Sequence, residues 1–211
     1  MSSNPSPSLN PWFPPAAPDL PAPKPLRAIG IVGTSRTATG LAHWCAAQGL
    51  GVVMHDKEAG ALTQAVGLIR ELFREMEGRN EITHAAAHKA MGGIGITTGL
   101  EDMEFCDMLI DLVTEDVASK RARFAGFAGI MPPEALLASA ASATGLEELT
   151  AVTPGPQRLI GLQFFDPVAA SPQVQVTIAS QTSRETAVRV LGFVAAIGKR
   201  AVLQGAPRRT V

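Results

Sequence analysis

Short apolar runs alternate with longer amphipathic stretches along most of the chain. The run 28–32 (Ala-Ile-Gly-Ile-Val) is apolar throughout, which is typical of a strand buried on both faces. In the stretch 59–79, Leu62, Val66 and Ile69 recur at helical spacing and predict an amphipathic helix. The other predicted strands are 51–55, 94–97, 108–113, 135–138, 160–164, 174–178 and 201–203, and the other predicted helices are 37–48, 83–91, 116–127 and 184–197. This alternation predicts an α/β fold with a doubly wound, mostly parallel sheet.

The first 25 residues differ in composition, because they hold nine of the chain's 16 prolines. Proline lacks a backbone donor and fixes φ, so this segment cannot enter a helix or a central strand. The sequence therefore predicts a proline-rich N-terminal arm over 1–25 and one folded domain over 26–211. Two large aromatics, Trp12 and Phe13, lie in the arm. Two interpretations are open. The arm either folds back on its own domain or is flexible, or its two aromatics dock into a partner protein or a second copy.

Charge and composition narrow the classes of function. The formal net charge of −1 argues against nucleic-acid binding, which usually needs a basic excess. No apolar run reaches the roughly 18 to 20 residues of a membrane-spanning helix, and the first residues lack the pattern of a secretory signal. The two cysteines, Cys45 and Cys106, have no CxxC spacing, which favours a reducing compartment. We expect a cytoplasmic protein without membrane insertion.

Metal binding is not expected. His84 and His88 lie four residues apart on a predicted helix, a spacing that suits a metal ion, but no carboxylate motif accompanies them.

The turn after the first strand carries part of a dinucleotide-binding pattern. A G-x-G-x-x-G loop uses its glycines for the tight turn, for close approach to pyrophosphate and for helix packing, and the corresponding positions here are Gly33, Ser35 and Ala38. Asp56, at the end of the second strand and 23 residues after Gly33, stands where a carboxylate would bind the ribose hydroxyls of NAD. The loop either binds NAD with weakened affinity, because Ser35 adds a Cβ, or is a plain strand–turn–helix. Arg36 is either a phosphate contact or a solvated surface charge.

Several later segments resemble the 3-hydroxyacyl-CoA dehydrogenases. The similar segments are 107–116 with Lys120 (the family's fourth-strand segment), 132–142 (its proline pair and Ser-Asn-Thr-Ser stretch), 156–167 (its P-x-R-x-I-G-x-H-F-F-N-P block) and 198–199 (its G-K element). They occur in the family's order between about Arg27 and Pro207. The resemblance implies the family's NAD-binding domain, with a Rossmann-like fold.

The same resemblance implies that the catalytic pair is replaced. In the family a histidine takes the proton of the 3-hydroxyl group while hydride goes to NAD, and its position is Gln163 here. The glutamate that holds this histidine aligns with Gln175, twelve residues later. A glutamine amide cannot cycle a proton near neutral pH, so the loss of the base is expected to cost a factor of about 10² to 10⁴ in rate.

The other aligned positions are partly kept. In the Ser-Asn-Thr-Ser stretch the asparagine and threonine are Ala140 and Ala141, while Ser142 remains, and the asparagine of the F-F-N-P stretch is Asp166. Asp166 is a candidate substitute base, or it caps a turn before proline. Glu115 and Lys120, which line the nicotinamide side in the family, are retained.

Family members continue into an all-helical domain, whereas this sequence stops at Val211. We expect either a fragment or a complete non-catalytic protein, and the glutamine replacements favour the second. Three hypotheses follow: a pseudoenzyme that acts as a structural, regulatory or complex-forming subunit, an active NAD-dependent oxidoreductase that uses Asp166 or another chain, and a sensor that binds NAD without turnover. The pseudoenzyme hypothesis requires no cofactor.

Overall fold

The strands of the sheet are four to six residues long and most of them are predominantly apolar, and helices connect most of them. The structure, a computed structural model, describes residues 24–114 and 116–205. The strands in this part of the chain are β1 (Ala28–Val32), β2 (Gly51–His55), β3 (Ile94–Thr97), β4 (Met108–Asp111), β5 (Leu136–Ser139), β6 (Leu159–Phe164), β7 (Gln173–Ile178) and β8 (Arg200–Gly205). The helices are α1 (Arg36–Ala47), α2 (Ala59–Gly78), α3 (His84–Gly92), α4 (Val117–Ile130), α5 (Ala143–Thr150) and α6 (Arg184–Ala196).

One eight-stranded sheet runs through the domain, in the order β3-β2-β1-β4-β5-β6-β7-β8. All neighbouring strands are parallel except β6 and β7, which are antiparallel. The connection between those two, residues 165–172, is shorter than the dozen or so residues that a parallel crossover needs. The prediction of a doubly wound, mostly parallel sheet is confirmed.

A separate hydrophobic core covers each face of the sheet. Alternate residues of β1 point to opposite faces, so Ile29 and Ile31 pack beneath α1, α2 and α6, while Val32 packs with α4 and α5. The second core is centred on Phe124 and Phe127, whose rings meet edge to face at 5.2 Å. The two faces carry different helices, and this arrangement determines which site residues can come into contact.

The sequence pattern misses one helix, α5. It has only eight residues, and its apolar positions Leu146 and Leu149 are too few to show a helical period. Ser142 starts it by accepting a hydrogen bond from the Gly145 N–H at 3.2 Å. This cap gives Ser142 a structural role.

A buried histidine should make stability depend on pH. His43 in α1 is 2% exposed, packs edge-on against Phe73, and its Nε2 has no hydrogen-bond partner among the described residues. Burial, with a smaller contribution from the Arg79 charge, lowers its pKa from 6.5 to about 4. The unfolded chain therefore binds the proton more tightly than the folded one. We expect the free energy of unfolding to be highest above pH 6.5 and to fall by up to about 3 kcal/mol as the pH drops to about 4.

Urea titrations across this pH range check the expectation. His43→Leu should flatten the curve between pH 6.5 and 4, whereas His88→Gln, at an exposed position of α3, should leave it unchanged. A His43→Leu curve as steep as that of the unsubstituted protein would contradict the assignment.

Candidate functional site

Four of the predicted nucleotide residues, Gly33, Ser35, Ala38 and Asp56, follow β1 and β2 at the carboxyl edge of the sheet. At β1 the strand order reverses, with β2 on one side and β4 on the other. Open α/β sheets place their ligands beside such a switch point.

Gly33 forms the turn out of β1 in a conformation that favours glycine. Its φ is +103°, and a Cβ added to it would lie 3.2 Å from Cγ2 of Val113 in the neighbouring loop. Its N–H donates to the carbonyl oxygen of His55 at 2.8 Å, which ties the turn to the end of β2. The first glycine of the pattern is therefore required by both backbone and packing.

Ser35, at the second glycine position, is unstrained and caps α1. Its φ is −57°, and its Oγ accepts a hydrogen bond from the Ala38 N–H at 3.3 Å. The first intrahelical bond runs from Thr39 N to Ser35 O, so the N–H groups of Arg36 and Thr37 have no acceptor within the helix. Ala38, at the third glycine position, is fully buried between helix and sheet.

Asp56 follows β2 and faces the same turn. Its Oδ2 accepts a hydrogen bond from the Thr34 hydroxyl at 2.9 Å, and its Oδ1 accepts the Glu58 N–H at 3.1 Å. The half-buried carboxylate thus lies one hydrogen bond from the loop that holds Gly33. The glycine pattern does not identify Thr34 as a contact of Asp56, because the pattern allows any residue at that position.

A buried charge cluster lies at the end of β4, against α4. Asp111, at the end of β4, is fully buried; Lys120 Nζ lies 3.3 Å from its Oδ2, and Arg123 Nε lies 3.8 Å from its Oδ1. The Val113 N–H also donates to Asp111, at 3.2 Å. Lys120, predicted to line the cofactor, is buried and held by this carboxylate. The charged Asp111 inside an apolar strand, followed by two cations on one helix face, is the sequence signal for the cluster.

Gln163 and Gln175 face each other across β6 and β7. They are paired directly in the antiparallel register, on the sheet face that also carries Val202 of β8. Gln163 is exposed, and the Gln175 amide donates to Gln204 Oε1 at 2.6 Å. The structure therefore brings together the two positions that the sequence resemblance assigns to the family's catalytic pair, and both side chains are neutral amides.

Asp166 points elsewhere. Its Oδ2 lies 2.9 Å from Arg36 Nε, so the carboxylate is ion-paired with the first residue of α1. That helix packs on the face of the sheet formed by Leu162 and Phe164, opposite to the face that carries Gln163. Asp166 is joined to the nucleotide loop and not to the glutamine pair.

Some predicted residues lie outside the described part of the chain: Glu115, and the arm residues Trp12 and Phe13. Within residues 24–114 and 116–205, no group of three or more His, Cys, Asp or Glu side chains could hold a metal ion, and His84 instead lies 3.4 Å from Glu77. None of the helices described is long and apolar enough to cross a membrane.

Comparisons with known proteins point to one family. Residues 28–206 match the family model described as 3-hydroxyacyl-CoA dehydrogenase, NAD binding domain. A 3-hydroxybutyryl-CoA dehydrogenase of Bradyrhizobium diazoefficiens is 29% identical over 175 residues, covering 83% of this chain and 60% of the relative. A probable 3-hydroxybutyryl-CoA dehydrogenase of Bacillus subtilis is 32% identical, with 84% and 62% covered.

Solved structures agree with the sequence matches. The crystal structure of the (S)-3-hydroxybutyryl-CoA dehydrogenase of Ralstonia eutropha superposes with a TM-score of 0.82 at 28% identity, covering 86% of this chain and 64% of that one. The chain thus spans about three fifths of the length of these relatives. The resemblance inferred from the sequence motifs is confirmed.

Proposed function

Because the chain belongs to the 3-hydroxyacyl-CoA dehydrogenase family and corresponds to its NAD-binding domain, we propose that it binds NAD weakly without transferring hydride. In this proposal it serves as a structural, regulatory or complex-forming subunit. The observation that carries the proposal is the direct pairing of Gln163 with Gln175, the two residues that the family resemblance aligns with the catalytic pair.

The switch point between β1 and β4 suits a dinucleotide. Gly33 adopts a turn that other residues rarely adopt, and the N–H groups of Arg36 and Thr37, which have no acceptor within α1, lie at the positive end of the helix and suit a pyrophosphate. The Asp56 carboxylate stands at the end of β2, where it would accept hydrogen bonds from a ribose and repel a 2′-phosphate. NAD, when bound, supplies the hydride acceptor; these residues only hold and orient it.

Reduced affinity follows from the cap of α1. Ser35 Oγ occupies the Ala38 N–H, which is one of the donors that the first turn of a helix offers to an anion. The Thr34 hydroxyl likewise takes one of the acceptor positions of Asp56 Oδ2, which leaves fewer for the hydroxyls of a ribose. Both contacts compete with the nucleotide and favour weak binding.

Absence of turnover follows from the chemistry of the glutamine pair. A base near the substrate hydroxyl has to accept a proton during hydride transfer, and neither Gln163 nor Gln175 can do so near neutral pH. The amide of Gln175 is instead satisfied by Gln204. These side chains can orient a ligand by hydrogen bonds, but they cannot take its proton.

An active oxidoreductase with Asp166 as the base is the second candidate. The Asp166 carboxylate is available in principle, being partly exposed. It is, however, ion-paired to a helix on the opposite face of the sheet from Gln163, which favours the inactive alternative. A sensor that binds NAD without turnover shares the nucleotide site of the main proposal.

We propose further that the arm residues Trp12 and Phe13 attach the chain to a partner protein or to a second copy. Stiff proline-rich segments lose little entropy on binding, which favours such a docking role.

Calorimetric titration with NADH and NADPH tests the nucleotide site. We expect NADH to bind. Asp56→Ala should weaken the affinity for NADH by about 10- to 100-fold, because hydrogen bonds to a charged group typically contribute about 1.5 to 3 kcal/mol. Glu58→Ala removes an exposed carboxylate two residues away and should have little effect. Ser35→Gly should tighten binding. No heat with NADH at millimolar concentration would refute the nucleotide part of the proposal.

Turnover is tested with acetoacetyl-CoA and NADH on the same protein. We expect no oxidation of NADH above the uncatalysed rate. Turnover that Asp166→Ala abolishes would establish the active alternative in place of this proposal.

A further inference from the structure

The ion pair between Arg36 and Asp166 links the nucleotide loop to a distant loop. We propose that Asp166 competes with the pyrophosphate of the nucleotide for the Arg36 guanidinium, so that Asp166 limits nucleotide affinity from outside the phosphate loop. The inference rests on the proposed binding of NAD. It assigns Asp166 a role in affinity and not in proton transfer.

Arg36 is placed to contact a pyrophosphate. It is the first residue of α1, directly after the Ser35 cap, so its side chain starts from the helix end whose N–H groups attract anions. The side chain is 83% exposed, and the structure gives its guanidinium one ion pair, with Asp166 at 2.9 Å. A guanidinium binds phosphate and carboxylate oxygens with the same planar donors, so the two anions are alternatives.

The Asp166 carboxylate is held at this place by buried contacts of its own loop. Val168, two residues later, is 2% exposed and packs on α1, where a Cβ on Gly40 would lie 3.4 Å from its Cγ2. The buried Lys199 ammonium donates to the carbonyl oxygens of Val168 at 2.5 Å and of Ser171 at 2.6 Å. The loop is therefore fixed against α1 independently of the ion pair, which keeps the carboxylate near the anion site.

Competition of this kind has a modest and predictable size. Exposed ion pairs typically stabilise by an amount that corresponds to a factor of about two to five in an equilibrium constant. Asp166→Asn keeps the shape of the side chain and removes the charge. It should therefore tighten the binding of pyrophosphate-containing ligands by about two- to fivefold.

A thermodynamic cycle over both residues tests the proposal. NADH, inorganic pyrophosphate and adenosine are titrated into the unsubstituted protein, Asp166→Asn, Arg36→Ala and the double variant. We expect Asp166→Asn to tighten NADH and pyrophosphate but not adenosine, which has no phosphate. In the Arg36→Ala background the same substitution should change nothing, because the competitor acts through Arg36. Glu148→Gln, which removes one exposed charge from α5, serves as the control and should not alter binding.

Three results would overturn the competition. They are equal affinities of Asp166→Asn and the unsubstituted protein, equal tightening of adenosine, and tightening that persists without Arg36. If no variant bound NADH while pyrophosphate still bound more tightly to Asp166→Asn, the competition would be supported and the proposed NAD binding would be refuted.

Discussion

The double substitution Gln163→His and Gln175→Glu is expected to raise the reduction of acetoacetyl-CoA by NADH at least about 10²-fold above the unsubstituted chain. The two positions are directly opposite in the β6–β7 pair, and the Cβ atoms of such pairs are about 4.5 to 5.5 Å apart. A carboxylate at 175 can therefore hold an imidazole at 163 in one orientation. The magnitude follows because a positioned general acid or base typically contributes about 10² to 10⁴ in rate, and in the reduction the introduced imidazole, when protonated, donates the proton to the ketone oxygen.

Single variants and one shifted variant control this experiment. Gln163→His alone should gain less, since its imidazole lacks the carboxylate, and Gln175→Glu alone should gain nothing. Gln163→His with Gln173→Glu adds the same charge to the same face of β7 two residues away, and it should behave like Gln163→His alone. If the double variant keeps its NADH affinity but shows no added rate, the missing base is not what prevents turnover, and our account of inactivity is wrong.

Removal of the buried Asp111 carboxylate is expected to lower the free energy of unfolding by about 3 to 5 kcal/mol. Asp111 is fully buried, and Lys120, its partner at 3.3 Å, is also buried. In Asp111→Ala the Lys120 ammonium would remain inside the protein without its counter-ion, which costs several kcal/mol of desolvation free energy. Denaturant titration followed by circular dichroism measures the loss.

Two further variants separate the buried charge from other effects. Asp111→Leu with Lys120→Met replaces the pair by apolar side chains and should recover part of the lost stability, because Arg123 still loses its contact with the carboxylate. Asp116→Ala removes an exposed carboxylate that caps α4 through the Ser119 N–H, and it should cost only about 1 kcal/mol. A loss in Asp111→Ala no larger than that of Asp116→Ala would show that the buried pair adds no more to stability than a cap does.

The elements of the fold could be predicted because each depends on neighbouring residues. The continuous apolar run of β1 and the helical period of α2 are visible in windows of a few residues, and both elements begin and end within a residue of their predicted limits. The helix α5 could not be predicted, because eight residues hold too little of a helical period. The antiparallel turn from β6 to β7 also lies beyond local pattern, since strand direction depends on how the chain packs.

The candidate site could likewise be predicted only in part. Gly33 and Asp56 follow their strands at positions that the dinucleotide pattern specifies, and the proposed replacement of the catalytic pair by Gln163 and Gln175 rests on the family's sequence motif. The cap that Ser35 makes on α1 could have been anticipated from its residue type. No pattern indicates that it occupies a donor needed by a ligand.

Local sequence thus accounts for the α/β architecture and the family, because burial period, turn chemistry and residue type act over short stretches of chain. The pairing of Gln163 with Gln175, the enclosure of Asp111 by Lys120 and Arg123, and the contact of Arg36 with Asp166 depend on the folded chain. Strand register and helix packing alone bring such distant residues within a few ångströms. These contacts place Asp166 beside the proposed nucleotide site and set two facing amides at the positions aligned with the catalytic pair.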